Sequence, residues 1–195
     1  DASSFDAIVD DLSRHYCVLR FDQRGSGLSD KPDEVYSIEA LAADAISLMD
    51  HLGFDSAHLF GISLGGMIAQ ACAIEYPARV HTAVMGCTLP GGWKHALKTV
   101  PSEAALLAFS TNESISTKQR VEALAKVAFN AGFADQHPEI IQSMIAARTK
   151  KPIDSIALQR RLETTAAYDA FDQLATIRCP VLVISGAQDQ LVDPR

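Results

Sequence analysis

Apolar residues at Phe5, Ile8, Val9 and Leu12 recur at helical spacing and predict a helix over residues 1–14. The pattern then changes. Tyr16-Cys17-Val18-Leu19-Arg20-Phe21 is a mostly apolar run of strand length, as a buried parallel strand requires. It runs into a Gly/Ser/Asp turn cluster from Asp22 to Asp30. From Ile38 to Leu52 the apolar stripe Ile38, Leu41, Ala42, Ala45, Leu48, Met49 and Leu52 predicts a second helix. Ser37 is placed to cap its start and Gly53 to stop it. Ala57, Leu59, Phe60 and Ile62 read as a short strand, Met67 to Tyr76 as an almost wholly apolar helix, and Val80 to Cys87 as the next strand. Strands alternating with helices imply a parallel sheet, an α/β fold.

The alternation breaks at Pro90-Gly91-Gly92, and helical patterns fill the chain to about Asp172. Ser116-x-x-Gln119 is a capping-box signature, Pro138 suits the first turn of a helix with Ile140, Ile141, Met144 and Ile145, and a further helix carries Ile153, Ile156 and Leu162. This stretch is expected to be a helical cap inserted into the sheet pattern, giving core residues 1–88, cap 89–170 and core 171–195. The strand pattern returns at Cys179-Pro180-Val181-Leu182-Val183-Ile184-Ser185, where Pro180 is tolerable because it stands at the strand's start.

Composition narrows the field. Apolar residues at 48% and charged residues at 21% are those of an ordinary globular protein, and a formal net charge of −7 disfavours nucleic acid or anionic membrane as partner. No apolar run approaches membrane-spanning length. Cys17, Cys72, Cys87 and Cys179 form no C-x-x-C pair and are expected to be buried thiols in a reducing, cytoplasmic setting.

The chemistry concentrates at Gly61-Ile62-Ser63-Leu64-Gly65-Gly66, a G-x-S-x-G motif between a strand and a helix. A serine on so tight a turn needs small neighbours, which Gly61 and Gly65 supply, while Gly66 lets the helix close on the sheet. The free N–H groups of the helix start would face a reacting oxygen, with the Leu64 N–H as half of an oxyanion hole. A serine that merely caps the helix is the plainer alternative. The G-x-G of Gly25–Gly27 lacks the third glycine of a nucleotide loop, since that place is Asp30; Asp22 and Arg24 are expected to hold this loop by hydrogen bonds. Asp189 leaves the C-terminal end of the last strand, the edge where function collects in open parallel sheets.

Together, F-D-Q-R-G-S-G-L-S-D, G-I-S-L-G-G-M-I-A-Q, the helical insert and C-P-V-L-V-I-S-G-A-Q-D-Q-L-V-D-P resemble the α/β-hydrolase superfamily, from Tyr16 to Pro194. Within it the chain is similar to the 3-oxoadipate enol-lactonase-like and small-ester hydrolases. The resemblance implies a Ser–acid–His triad in that chain order, with Ser63 as nucleophile and Asp189 as acid. Asp193 is the alternative acid; Cys87-Thr88-Leu89, where some members place it, offers no carboxylate. The histidine should follow Asp189, and none of His15, His51, His58, His81, His95 or His137 occupies that place. An H-G loop carrying the second oxyanion donor is also expected upstream of Asp1. The chain therefore reads as an interior piece of a longer hydrolase, its sheet lacking a strand between Tyr16–Phe21 and the strand at Leu59. No cofactor or metal is implied. The expected substrate is a small ester or lactone, and Trp93, Leu106, Leu107, Phe109, Met144 and Ile145 either line its pocket or pack the cap. Haloperoxidase, C–C hydrolase and acyltransferase chemistry use similar serine elbows, and a non-catalytic ligand-binding protein is the rival from another class.

Overall fold

The computed structural model describes residues 2–91, 102–152, 154–189 and 191–192. Trp93, His95, Ile153 and Asp193, to which sequence patterns give roles, lie outside the described residues. After a short 3-10 turn at Ala2–Phe5, the elements up to the break are α1 (Asp6–Ser13), α2 (Ile38–His51), β1 (Ala57–Ile62), α3 (Leu64–Glu75) and β2 (Val80–Gly86). The helical stretch holds α4 (Glu103–Ala108), α5 (Thr117–Ala128), α6 (Phe133–Gln136), α7 (Pro138–Lys150) and α8 (Ser155–Ala167), and β3 (Val181–Ile184) follows.

The three strands form one parallel sheet in the order β1-β2-β3, with Leu59 opposite Ala83 and Val84 opposite Leu182. Helix α3 packs on β1 and β2, and α2 packs on α3. Their shared core joins Ile38, Leu41, Ala42 and Met49 of α2 to Met67, Ala71 and Cys72 of α3 and Val80, Ala83 and Met85 of β2. The near-absence of polar residues from α3 follows from this sandwiching: eight of its residues, Gly66 to Ala73, are buried. The chemistry at the helix ends agrees with the sequence. Ser37 Oγ accepts from Ala40 N at 3.0 Å, and Gly53 turns the chain at φ +75°. Around α5 both halves of the capping box form between Ser116 and Gln119.

Two expectations are corrected. Tyr16–Phe21 forms no strand, because among the described residues nothing offers it a ladder. Its approach to β1 is by side chain, with the Tyr16 ring 5.8 Å from that of His58, and Phe60 and Ile62 of β1 are left 41% and 45% exposed. Hydrophobic pattern alone does not make a strand without a hydrogen-bonding neighbour. The cysteines differ too. All four are free, but only Cys72 is buried, where desolvation pushes its thiol up to about 12; Cys17 is exposed, and Cys87 and Cys179 are half-buried.

The two ends of the helical stretch meet. Gly91 bridges Asp169, and Ala170 N donates to Pro90 O at 2.7 Å. A small second core of Val121, Ala125 and Ile141 ties α5 to α7. Helix α8 is fixed to the loop before α2: the buried Thr164 Oγ1 lies 3.1 Å from Tyr36 O, and Arg160 grips Asp33 with Nε and Nη2 at 2.9 and 2.7 Å.

Candidate active site

Ser63 stands at the junction of β1 and α3 with φ 55° and ψ −119°. A side chain at positive φ is strained, and it persists only where its surroundings hold it. Here they do. Ser63 N donates to Gly86 O at 2.9 Å, while Ser63 O accepts from Gly66 N at 2.8 Å, Met67 N at 3.2 Å and Thr88 Oγ1 at 2.8 Å. The whole peptide is thus pinned between β2 and the first turn of α3. The side chain itself is exposed, and Oγ has no hydrogen-bond partner among the described residues. Leu64 opens α3, so its N–H belongs to the first turn, whose donors have no acceptor within the helix.

The glycines around the serine are not equivalent. A Cβ on Gly61 would overlap the Gly65 carbonyl, so the strand and the helix start meet backbone to backbone there. At Gly66 a Cβ would stand 2.6 Å from Thr88 Cβ, which agrees with close packing of helix on sheet. Gly65 is different from the expectation: a Cβ there would meet nothing within 4 Å. The turn needs Gly61 for space and does not need Gly65.

Asp189 lies in the turn after β3, with Asp189 N donating to Gly186 O at 3.0 Å. Its Oδ1 accepts from Leu191 N at 2.8 Å and Val192 N at 3.0 Å, which fixes the carboxylate while leaving Oδ2 without a recorded bond among the described residues. Ser63 and Asp189 both follow strands of one parallel sheet and share its C-terminal edge. The strands that carry them, β1 and β3, are separated by β2, two strand spacings or about 10 Å. Beside Asp189 is a cavity of about 350 Å³, walled by Gly186–Asp189, by Cys87 at the end of β2 and by Ala128, Phe129 and Asn130 at the end of α5. The end of α5 therefore stands beside the C-terminal edge of the sheet.

Several residues here were not legible beforehand. Phe129 and Asn130 sit where α5 stops, and nothing in the helix pattern marks them as cavity walls. Cys87, at φ 44°, and Thr88 have roles that exist only because β2 ends beside Ser63. Conversely, Met144 and Ile145 pack on the α5–α7 core, and neither they nor Leu106, Leu107 and Phe109 line this cavity. His58 and His81 start β1 and β2, at the edge away from Ser63, where they bond Thr82 and Ser56 at 2.8 Å; His51 ends α2, and His137 precedes α7.

An exposed serine on a strained strand-to-helix turn, with an acid on the same sheet edge, has the geometry found in α/β-hydrolase folds. The chain belongs to the alpha/beta hydrolase fold family, whose family model matches residues 2–195. It is 32% identical over 178 residues to 3-oxoadipate enol-lactonase 2 of Acinetobacter baylyi, covering 89% of this chain and 62% of that protein. A proline iminopeptidase of Lactobacillus delbrueckii subsp. bulgaricus is 25% identical over 189 residues, covering 88% of this chain and 64% of the relative. The crystal structure of the enol-lactonase from Burkholderia xenovorans LB400 superposes with a TM-score of 0.84 at 27% identity, over 100% of this chain and 71% of that one. The chain thus spans less than two thirds of the length of these two curated relatives.

Proposed function

We propose that the whole protein hydrolyses a small ester or lactone through an acyl-enzyme on Ser63. The observation that carries this reading is the strained, exposed Ser63, pinned through its backbone with a free Oγ, on the same sheet edge as Asp189. Ser63 Oγ attacks the carbonyl carbon, its proton passing to a histidine that bonds Asp189, and the Leu64 N–H faces the developing oxyanion. The alcohol or enol oxygen leaves with that proton, and water then releases the acid by the same route. In this reading the histidine comes from outside the present 195 residues, and 89–170 acts as a cap whose Phe129 and Asn130 wall the cavity beside Asp189, a cavity that Ser63 does not itself line. The enol-lactonase similarity supports a lactone or ester over an amide.

The test is hydrolysis of a panel of short esters and lactones by the whole protein, its Ser63→Ala variant and its Asp189→Asn variant, with labelling by a fluorophosphonate probe. Ser63→Ala is expected to lose at least about a thousandfold in kcat/KM and all labelling. Unchanged turnover in that variant removes Ser63 from the mechanism. Absence of both turnover and labelling in the unaltered protein would favour a ligand-binding role.

A further inference from the structure

A second cavity, of about 50 Å³, lies between the Gly25–Gly27 loop and the corner joining α7 to α8. Its chemistry-bearing walls are Ser26, Lys31, Arg148, Lys151, Asp154 and Arg161. Four cations therefore face one carboxylate, in a chain whose net charge is −7. The carboxylates at hand accept backbone N–H bonds, and Asp22 also feels the charge of Lys151. Asp154 Oδ1 accepts from Ala157 N at 2.8 Å to cap α8, and Asp22, beneath the loop, accepts from Ala2 N at 2.6 Å and Leu28 N at 2.7 Å. Lys31 donates to the carbonyls of Gly27 and Ser29.

Arg161 differs from Arg160 beside it. Arg160 is paired with Asp33 and Glu163, whereas Arg161 makes only a long 3.4 Å contact from Nε to Ala157 O and has no ion pair among the described residues. It is half-buried, and desolvation, reinforced by the charge of Arg148, pushes its pKa down. A guanidinium taken partly out of water without a counter-charge destabilises the fold unless something supplies one. An independent observation points the same way. Ser26 lines the same cavity, and its Oγ, which is not among the buried unpartnered atoms, has no hydrogen-bond partner among the described residues and is free to donate into the cavity. The walls are also held in place, by Thr164 on Tyr36 O and by the Tyr36 ring packed against Gly25.

We propose that this cavity is an oxyanion site that takes one carboxylate or phosphate group. Arg161 supplies a planar fork of N–H donors, Ser26 Oγ donates a further bond, and Arg148 and Lys151 add positive field. The volume suits one such group and no whole metabolite, so the ligand is a free phosphate ion or the acidic arm of a larger organic acid. The site stands apart from the Ser63 chemistry, and neither proposal depends on the other. By bridging the loop before α2 to α8, a bound anion would lock the helical stretch onto the core.

Melting of the whole protein in sodium phosphate, sodium acetate and sodium chloride at equal ionic strength and pH tests the assignment. A saturable rise in Tm with phosphate, acetate or both, beyond that in chloride, is expected. Phosphate alone would indicate the free ion, and acetate an organic acid arm. Arg161→Met should weaken the anion response by about tenfold or more yet melt no lower than the unaltered protein in chloride, because it removes an uncompensated charge. Ser26→Ala should weaken the response by roughly threefold or more. Equal responses to all three salts overturn the proposal. So does an Arg161→Met protein less stable in chloride, or an anion response that survives both substitutions.

Discussion

At φ 55° a serine pays a steric cost of about 1–3 kcal/mol that glycine would not. The four backbone bonds around Ser63 hold it there, so the strain should be recoverable as stability. Ser63→Gly is expected to raise the denaturant midpoint by the equivalent of about 1 kcal/mol, whereas Ser63→Ala keeps a Cβ and should gain nothing. If the glycine variant is no more stable than the alanine variant, the turn is not strained in solution. The neighbouring glycines give a second contrast. Gly61→Ala drives a Cβ into the Gly65 carbonyl and should cost more than about 3 kcal/mol, while Gly65→Ala meets open space inside a helix and should be neutral or stabilising by up to about 1 kcal/mol. Chemical denaturation of the two variants settles the matter: equal losses would mean that the motif needs both glycines for space.

Elements differ in how much of them the sequence disclosed. Helices α2 and α5 were legible because their caps and stripes are local: Ser37, Gly53, Ser116 and Gln119 act within one turn of the residues they serve. The elbow was legible for the same reason. Tyr16–Phe21 shows the limit, since its pattern suits a strand but a strand is a relation between two segments. The docking of α8 was invisible, because Thr164 and Tyr36 are 128 residues apart and neither carries a signal of the other. That bond can be tested. The Thr164 side chain is buried and its hydroxyl stands 3.1 Å from Tyr36 O and 2.8 Å from Arg160 O. Thr164→Val preserves shape but leaves a buried carbonyl without its donor, so a loss of about 1–3 kcal/mol is expected. Hydrogen exchange should quicken in α8 and in residues 33–36 together. A loss confined to α8 would mean that the bond does not join the two segments.

At the scale of the whole molecule, the sheet is the part least protected. Helix α2 covers α3 and their shared core, but all four residues of β3 are exposed, from 41% at Val181 to 66% at Val183, and among the described residues β3 pairs on one side only. An apolar strand with a free edge is a template for another strand. The net charge of −7 opposes such contact by repulsion between copies. Contact through apolar edges and contact through complementary charges predict opposite responses to salt. If apolar edges drive association, screening removes the repulsion, and the 195-residue chain should associate more strongly as ionic strength rises. If complementary charges drive it, salt should disperse the chain. Light scattering over a concentration series at low and high salt separates the two, and the edge reading requires larger species at high salt. Val183→Lys places a charge on the exposed strand where the side chain can reach water, so it should shift association to higher concentration while changing stability by no more than about 0.5 kcal/mol. Association that is unchanged by Val183→Lys would place the contact away from β3, on the Phe60 and Ile62 side of the sheet.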